Sequence, residues 1–350
     1  MSALATNNPA MPETGDTATP VVDVSGLGRT FDVSKPWLNR VLERQPRALL
    51  KAAQDISFTI GRGETFALVG ESGSGKSTVA KMVVGLLAAS TGTIRIDGVD
   101  MRQRAQTGAE MRDLRRRIQM IFQDPYASLN PRWRVDRIIA EPIRAFKLET
   151  SEAAISKRVG ELLELVRLHP RDGAKYPHEF SGGQRQRICI ARALASKPEF
   201  LVCDEPTSAL DVSVQAQILN LMRDLQDEFS LTYLFISHDL AVVRHMAKRI
   251  GVMYLGRLVE VADAADLFAN PRHPYTRMLL AAIPDLEMTG IPRRAVEGEI
   301  PNPINPPPGC AFHPRCPLAN ERCSRELPAF LGSGLTGVAC HAVEEGRTEA

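Results

Sequence analysis

The sequence predicts an α/β protein with a mainly helical insertion and a small cysteine-rich C-terminal extension. Three observations lead there. From Val21 onward, short apolar runs alternate with amphipathic stretches of helical period. One of the apolar runs leads straight into a glycine-rich segment, GESGSGKST, Gly70 to Thr78. Beyond about Pro284 the composition turns to proline and then cysteine.

Along the chain, the first 20 residues, MSALATNNPAMPETGDTATP, lack the basic segment and apolar stretch of a secretory signal and are expected to be a disordered tail. FALVG at 66–70, FLVCD at 200–204 and TYLFIS at 232–237 have the continuous apolar character of buried parallel strands, and polar residues follow the first two. Ile155, Val159, Leu162, Leu163 and Val166 recur at helical spacing, as do Val214, Ile218, Leu221, Leu225 and Phe229; both stripes are expected to face the core. The span from about Asp124 to residue 180 has little strand character and is expected as a helical subdomain within a nucleotide-binding domain covering 21–284. Five prolines between Pro301 and Pro308 can continue neither helix nor central sheet, so 285–350 is expected as a separate appendage.

Composition limits the function classes. With 43 basic and 41 acidic residues the formal charge is +2, which supplies no broad field for nucleic acid or anionic lipid. The longest apolar stretches, such as MVVGLLAA at 82–89, fall far short of the ~20 residues of a membrane helix. The chain is therefore expected to be soluble and intracellular, where disulfides are rare and cysteines serve as thiols or metal ligands.

GESGSGKST follows a strand and precedes the helical stretch VAKMVVGLL, the context in which such a loop holds phosphates. Gly70, Glu71, Ser72, Gly73, Ser74 and Gly75 would turn backbone N–H groups inward around phosphate oxygens, and the helix N-terminus adds a favourable dipole. Lys76 would neutralise the β- and γ-phosphates, Ser77 would give its hydroxyl to Mg²⁺, and Thr78 completes the loop. FLVCDEP supplies a carboxylate for Mg²⁺ in Asp204, and in Glu205 a second that could orient or deprotonate the attacking water.

Between these halves, FSGGQRQRICIARAL at 180–194 resembles the signature of the ATP-binding-cassette (ABC) ATPases. The resemblance extends over nearly the whole chain from Val21 and implies a cassette with a mixed sheet core. It also implies that two cassettes stack head to tail, so that Ser181, Gly182, Gly183 and Gln184 of one close on the ATP held by the other. By the same resemblance Gln123 in MIFQDP senses Mg²⁺ and water and touches the membrane subunit, and Asp211 in SALDV links the two cassettes. His238 in FISHD resembles the switch histidine at the γ-phosphate. Phe31 in GRTFDV takes the place of the residue stacking on adenine, with Trp37 as an alternative.

SLNPR at 128–132, RHPYTR at 272–277 and the proline-rich tail with its cysteines narrow the resemblance to the ATPase subunit of dipeptide, oligopeptide and nickel importers. That family implies an ATPase at the cytoplasmic face of the inner membrane. Its partners would be two membrane-spanning permease subunits, a second, identical or homologous ATPase and an extracytoplasmic peptide-binding protein, with no nucleic acid. A nickel importer and a soluble cassette acting on nucleic acid or the ribosome are the alternatives, the latter disfavoured by the near-neutral charge.

Cys189 and Cys203 fall in core-like segments and are expected as small apolar residues. Cys310, Cys316, Cys323 and Cys340 are separated by five, six and sixteen residues, in a segment too short to bury a core of its own. Zinc would suit four thiolates, or three with His313 or His341, yet structural zinc sites use closer pairs. An iron–sulfur cluster takes four thiolates over wider loops, and this spacing does not match the ferredoxin runs either. The family resemblance implies a [4Fe-4S] cluster.

Overall fold

The computed structural model describes residues 20–36, 39–40, 46–101, 108–282, 298–333 and 335–347. The expected N-terminal tail up to residue 19, Trp37 and the boundary near residue 284 lie outside them.

Two sheets build the domain. β1 (Val22–Asp32), β2 (Leu49–Ile60), β4 (Thr91–Ile96) and β5 (Val99–Asp100) form an antiparallel sheet in the order β2-β1-β4-β5. The larger sheet combines β3 (Thr65–Val69), β6 (Ile118–Ile121), β7 (Phe200–Asp204), β8 (Thr232–Ile236), β9 (Arg249–Tyr254), β10 (Arg257–Asp263), β11 (Leu331–Ser333) and β12 (Thr336–Val338). Its order is β11-β12-β10-β9-β3-β8-β7-β6, parallel from β9 to β6 and antiparallel beyond, which is the mixed sheet of a cassette.

Every residue of β3, β7 and β8 is buried, as continuous apolar runs demand when helices cover both faces of a sheet. The register keeps their C-terminal ends level, since Ile236 pairs with both Leu68 and Asp204. Whatever follows those strands therefore emerges along one edge, where open α/β sheets place their ligands.

Between β6 and β7 run the helices Pro125–Ser128, Val135–Ala145, Glu152–Leu165 and Gly182–Leu194. Ser151 caps the third by accepting the Ala154 N–H at 3.2 Å, and its stripe Ile155, Val159, Leu162 and Leu163 is buried. The helix Val212–Phe229 buries Ile218, Leu221 and Leu225, but Phe229 at the end of the expected stripe is 45% exposed. Ser230 in left-handed conformation (φ 52°) terminates the helix there. Among the described residues no helix is long and apolar enough to cross a membrane.

The tail is joined to the domain more closely than its prolines suggest. They interrupt structure only where they stand. β12 pairs with β10 through Glu260–Val338 and Val261–Gly337, so the hairpin β11-β12 widens the central sheet. Phe312 is 1% exposed and lies in the main core, its ring centroid 5.3 Å from that of Tyr254 and 5.4 Å from that of Tyr275.

A buried ion pair ties these layers together. Arg249 at the start of β9 donates to both carboxylate oxygens of Glu64 at 2.6 and 3.0 Å, with the side chains 8% and 9% exposed. It also donates to the carbonyls of Thr59 in β2, at 2.7 Å, and Leu335 in the tail, at 3.3 Å. Arg249→Ala, which strands the Glu64 carboxylate in the interior, is expected to lower the urea-unfolding free energy by about 3–5 kcal/mol, and Arg249→Lys by less.

Candidate nucleotide site

The loop after β3 has a shape that glycine alone permits. Gly70 has φ 146°, and a Cβ there would lie 2.2 Å from the Met253 carbonyl; Gly75 has φ 102°, and its Cβ would lie 2.1 Å from the Ala52 carbonyl. Gly75 caps the helix Lys76–Val83, so the first free N–H groups of that helix open onto the loop. Lys76 is buried and folds back, its Nζ donating to the carbonyls of Gly70 at 2.8 Å and Glu71 at 2.9 Å and approaching Ser74 Oγ at 3.4 Å. Burial pushes its pKa down, while Glu205, Asp204 and Glu71 pull it back up.

The second group of residues comes from β7. Ser77 Oγ donates to Asp204 Oδ1 at 2.8 Å, a hydroxyl and a carboxylate side by side as Mg²⁺ ligation requires. Burial raises the Asp204 carboxyl above its usual range, and the Ser77 hydrogen bond opposes that. Glu205 adopts φ 47°, a conformation unusual for a residue with a side chain, and its N–H donates to the Ile236 carbonyl at 2.9 Å. From this bend the Glu205 carboxylate meets two other candidates. Gln123 Nε2 donates to one of its oxygens at 2.9 Å, and His238 Nδ1 lies 3.1 Å from the other.

All of this borders one cavity of about 900 Å³, lined by Gly70–Gly73, Gly75–Thr78, Gln123, Glu205 and His238 at its polar end. Phe31, Leu50, Leu255, Leu279, Ile300 and Pro303 line its apolar end. Phe31 thus borders the site, with the Arg29 guanidinium 4.8 Å from its ring centroid; Trp37 lies outside the described residues.

Ser181, Gly182, Gly183, Gln184 and Asp211 do not line that cavity. Ser181 caps the helix Gly182–Leu194 in a reciprocal box with Gln184, accepting its N–H at 3.3 Å and donating its own to Oε1 at 3.0 Å. A Cβ on Gly183 would lie 2.3 Å from Val214 Cγ1, and one on Gly182 3.3 Å from Leu210 Cδ2. The signature therefore packs against the segment that carries Asp211, and Ser181, Gly182 and Asp211 are exposed on one surface of the chain.

A profile of the ABC transporter family matches residues 53–208, and one of the oligopeptide/dipeptide transporter C-terminal region matches 259–323. The oligopeptide transport ATP-binding protein AppF of Bacillus subtilis (strain 168) is 48% identical over 296 residues, covering 83% of this chain and 89% of its own. A Brucella abortus (strain 2308) protein named as a peptide import ATP-binding protein is 52% identical over 296 residues, covering 84% and 87%. The chain belongs to the ABC ATPases, in their oligopeptide/dipeptide transporter branch. It is an ATPase. A dimeric, post-hydrolysis structure of the cassette MJ0796 with ADP and Pi superposes with TM-score 0.59 at 27% identity, over 69% of this chain and 98% of its own. CbiO1 of Clostridium perfringens superposes equally well at 27% identity, over 72% and 91%.

Two contributors to the cassette site were not legible in sequence. RHPYTR carried no evident chemistry, yet Tyr275 Oη accepts the backbone N–H of Glu71 in the phosphate loop at 2.9 Å. His273, fully buried with its pKa pushed down to about 3 by that burial, caps the helix Pro274–Ala281 by accepting the Tyr275 N–H at 3.0 Å. Ile300 and Pro303 bring the tail to the nucleotide cavity. Neither has a local signal, because each contact joins segments far apart in the chain.

The cysteines divide as their positions suggest. Cys189 and Cys203 are buried in the core. In the tail, Cys323 and Cys340 are buried and Cys310 and Cys316 half-buried, all four as free thiols. Burial pushes Cys310 and Cys316 up to about 11, and the charges of neighbouring tail cysteines push the same way: Cys316, Cys323 and Cys340 for Cys310, Cys340 and Cys323 for Cys316. Among the described residues no group of three or more His, Cys, Asp or Glu is arranged to hold a metal ion. That lends no support to the expected [4Fe-4S] cluster or to zinc at these cysteines; His313 Nδ1 lies 2.9 Å from the Cys310 carbonyl and His341 Nε2 3.0 Å from the Glu326 carbonyl.

Gly75→Ala places a side chain at φ 102° and 2.1 Å from a backbone oxygen. It is expected to lose ATP binding, followed by fluorescent-nucleotide titration, and to lower stability by at least about 1–2 kcal/mol.

Proposed function

We propose that this chain is the ATP-hydrolysing subunit that powers import of dipeptides or oligopeptides, as the names of its relatives suggest for them. It works as half of a head-to-tail pair of cassettes at the cytoplasmic face of the inner membrane. Two permease subunits supply the translocation path, and an extracytoplasmic binding protein delivers the peptide.

The triphosphate lies along Gly70–Thr78 with the base toward Phe31. Lys76 leaves its two loop carbonyls for the β- and γ-phosphates, which its burial makes favourable because the bare ammonium is poorly solvated there. Ser77 and Asp204, with Gln123, would hold Mg²⁺, whose charge would offset that of the phosphates. Glu205 orients the attacking water and accepts its proton, Gln123 and His238 hold that carboxylate, and His238 also reaches the γ-phosphate. Ser181, Gly182, Gly183 and Gln184 of the partner cassette close over the γ-phosphate, and Asp211 joins the two cassettes. Ser181, Gly182, Gln184 and Asp211 are exposed, and none of these five residues lines the chain's own cavity, which supports this division of labour.

The convergence of Gln123 and His238 on the Glu205 carboxylate at the cavity wall carries the reading. Glu205→Gln is expected to keep ATP affinity within about twofold while turnover falls at least about a hundredfold; unimpaired hydrolysis would remove Glu205 from its role.

In the tail, Cys310, Cys316, Cys323 and Cys340 would hold the [4Fe-4S] cluster that the family resemblance implies, and it would staple the extension. What supports it is the family resemblance together with four tail thiols near enough for their charges to raise one another's pKa. Burial that disfavours free thiolates is offset when iron binds them. Anaerobically purified protein is expected to be brown, with about four iron and four sulfide per chain. Colourless protein with one zinc would assign the cysteines to zinc.

A further inference from the structure

The side chain of Arg315 is 2% exposed and lies one residue before Cys316. Its Nη1 donates to Glu71 Oε2 at 2.8 Å and its Nη2 to Oε1 at 3.0 Å, a fork-on-fork pairing of guanidinium and carboxylate. Nη1 also reaches Tyr254 Oη at 3.3 Å, and the guanidinium carbon lies 5.8 and 5.9 Å from the ring centroids of Tyr254 and Phe312. The pairing holds the Arg315 pKa well above the usual arginine range.

Glu71 is the second residue of the phosphate loop. Its N–H is held by Tyr275 and its carbonyl by Lys76. A carboxylate at this place is a liability, because it sets a negative charge among the groups meant to receive a triphosphate. In a partly desolvated site that repulsion is weakly screened. The charge that offsets it comes from the tail, 244 residues away in sequence.

We propose that Arg315 is a positioning residue of the nucleotide site: by neutralising and orienting Glu71 it keeps the phosphate loop receptive to MgATP, making the cysteine-rich tail a structural part of the ATP site. The proposal rests on Gly70–Thr78 holding the phosphates, so wild-type MgATP binding is measured alongside; a wild-type chain that binds no MgATP would overturn that assignment instead. Glu71 has a role of its own, as the handle by which the tail grips the loop.

A charge-removal rescue in the full-length protein tests this. Arg315→Ala exposes the loop to an uncompensated carboxylate and is expected to weaken MgATP binding about fivefold or more, raising KM while kcat at saturating ATP stays within about twofold. Adding Glu71→Gln to Arg315→Ala removes that charge and is expected to bring the affinity back toward wild type. A salt bridge that only fastens the tail predicts lower folding stability in Arg315→Ala, recovered when Glu71→Gln removes the stranded carboxylate, with MgATP affinity unchanged in both variants. The proposal is overturned if Arg315→Ala binds MgATP like wild type, or if Glu71→Gln fails to restore what it lost. Should Arg315→Ala not fold, Arg315→Gln, which removes the charge but keeps a polar side chain, carries the same test through its loss of affinity and the reversal of that loss by Glu71→Gln.

Discussion

The site depends on one constraint: β3, β8 and β7 lie side by side, parallel, wholly buried and level at their C-terminal ends. A buried strand can carry polar side chains only where it stops. The phosphate loop, the pair Asp204 and Glu205, and His238 each follow one of these strands, so pairing three apolar segments is enough to gather a cation, two carboxylates and an imidazole. Gln123 arrives from β6, the next strand in the same sheet.

Electrostatics then decides how the site rests before ATP binds. Buried Lys76 finds loop carbonyls, Asp204 finds Ser77, and Glu205 finds Gln123 and His238. In the proposed mechanism each of these partners gives way to the nucleotide, Mg²⁺ or water, so the charges are satisfied but not locked. The exception is Glu71, whose bidentate, buried partner is too well held to be exchanged.

What could be read in the sequence follows from where the constraint acts. GESGSGKST was legible because Gly70 and Gly75 have no room for a side chain, and FLVCDEP because Asp204 stands at the very end of an otherwise apolar strand. The same local logic exposed the helical stripes, and erred at Phe229, where the helix ends at Ser230. It could not reach Arg315 or Tyr275, whose partners lie more than two hundred residues away, and it drew the tail as an appendage although β12 pairs with β10. Prolines at 301–308 report only on their own backbone, not on the strands after them.

The central claim is that MgATP sits on Gly70–Thr78 with its metal between Ser77 and Asp204. Crystals grown with a non-hydrolysable ATP analogue and Mn²⁺ in place of Mg²⁺ test it most directly, because anomalous scattering locates the metal without bias. The account predicts a peak about 2.1 Å from Ser77 Oγ, beside the Asp204 carboxylate, with phosphate density along the loop. A metal peak elsewhere, or phosphates away from Lys76, would contradict it.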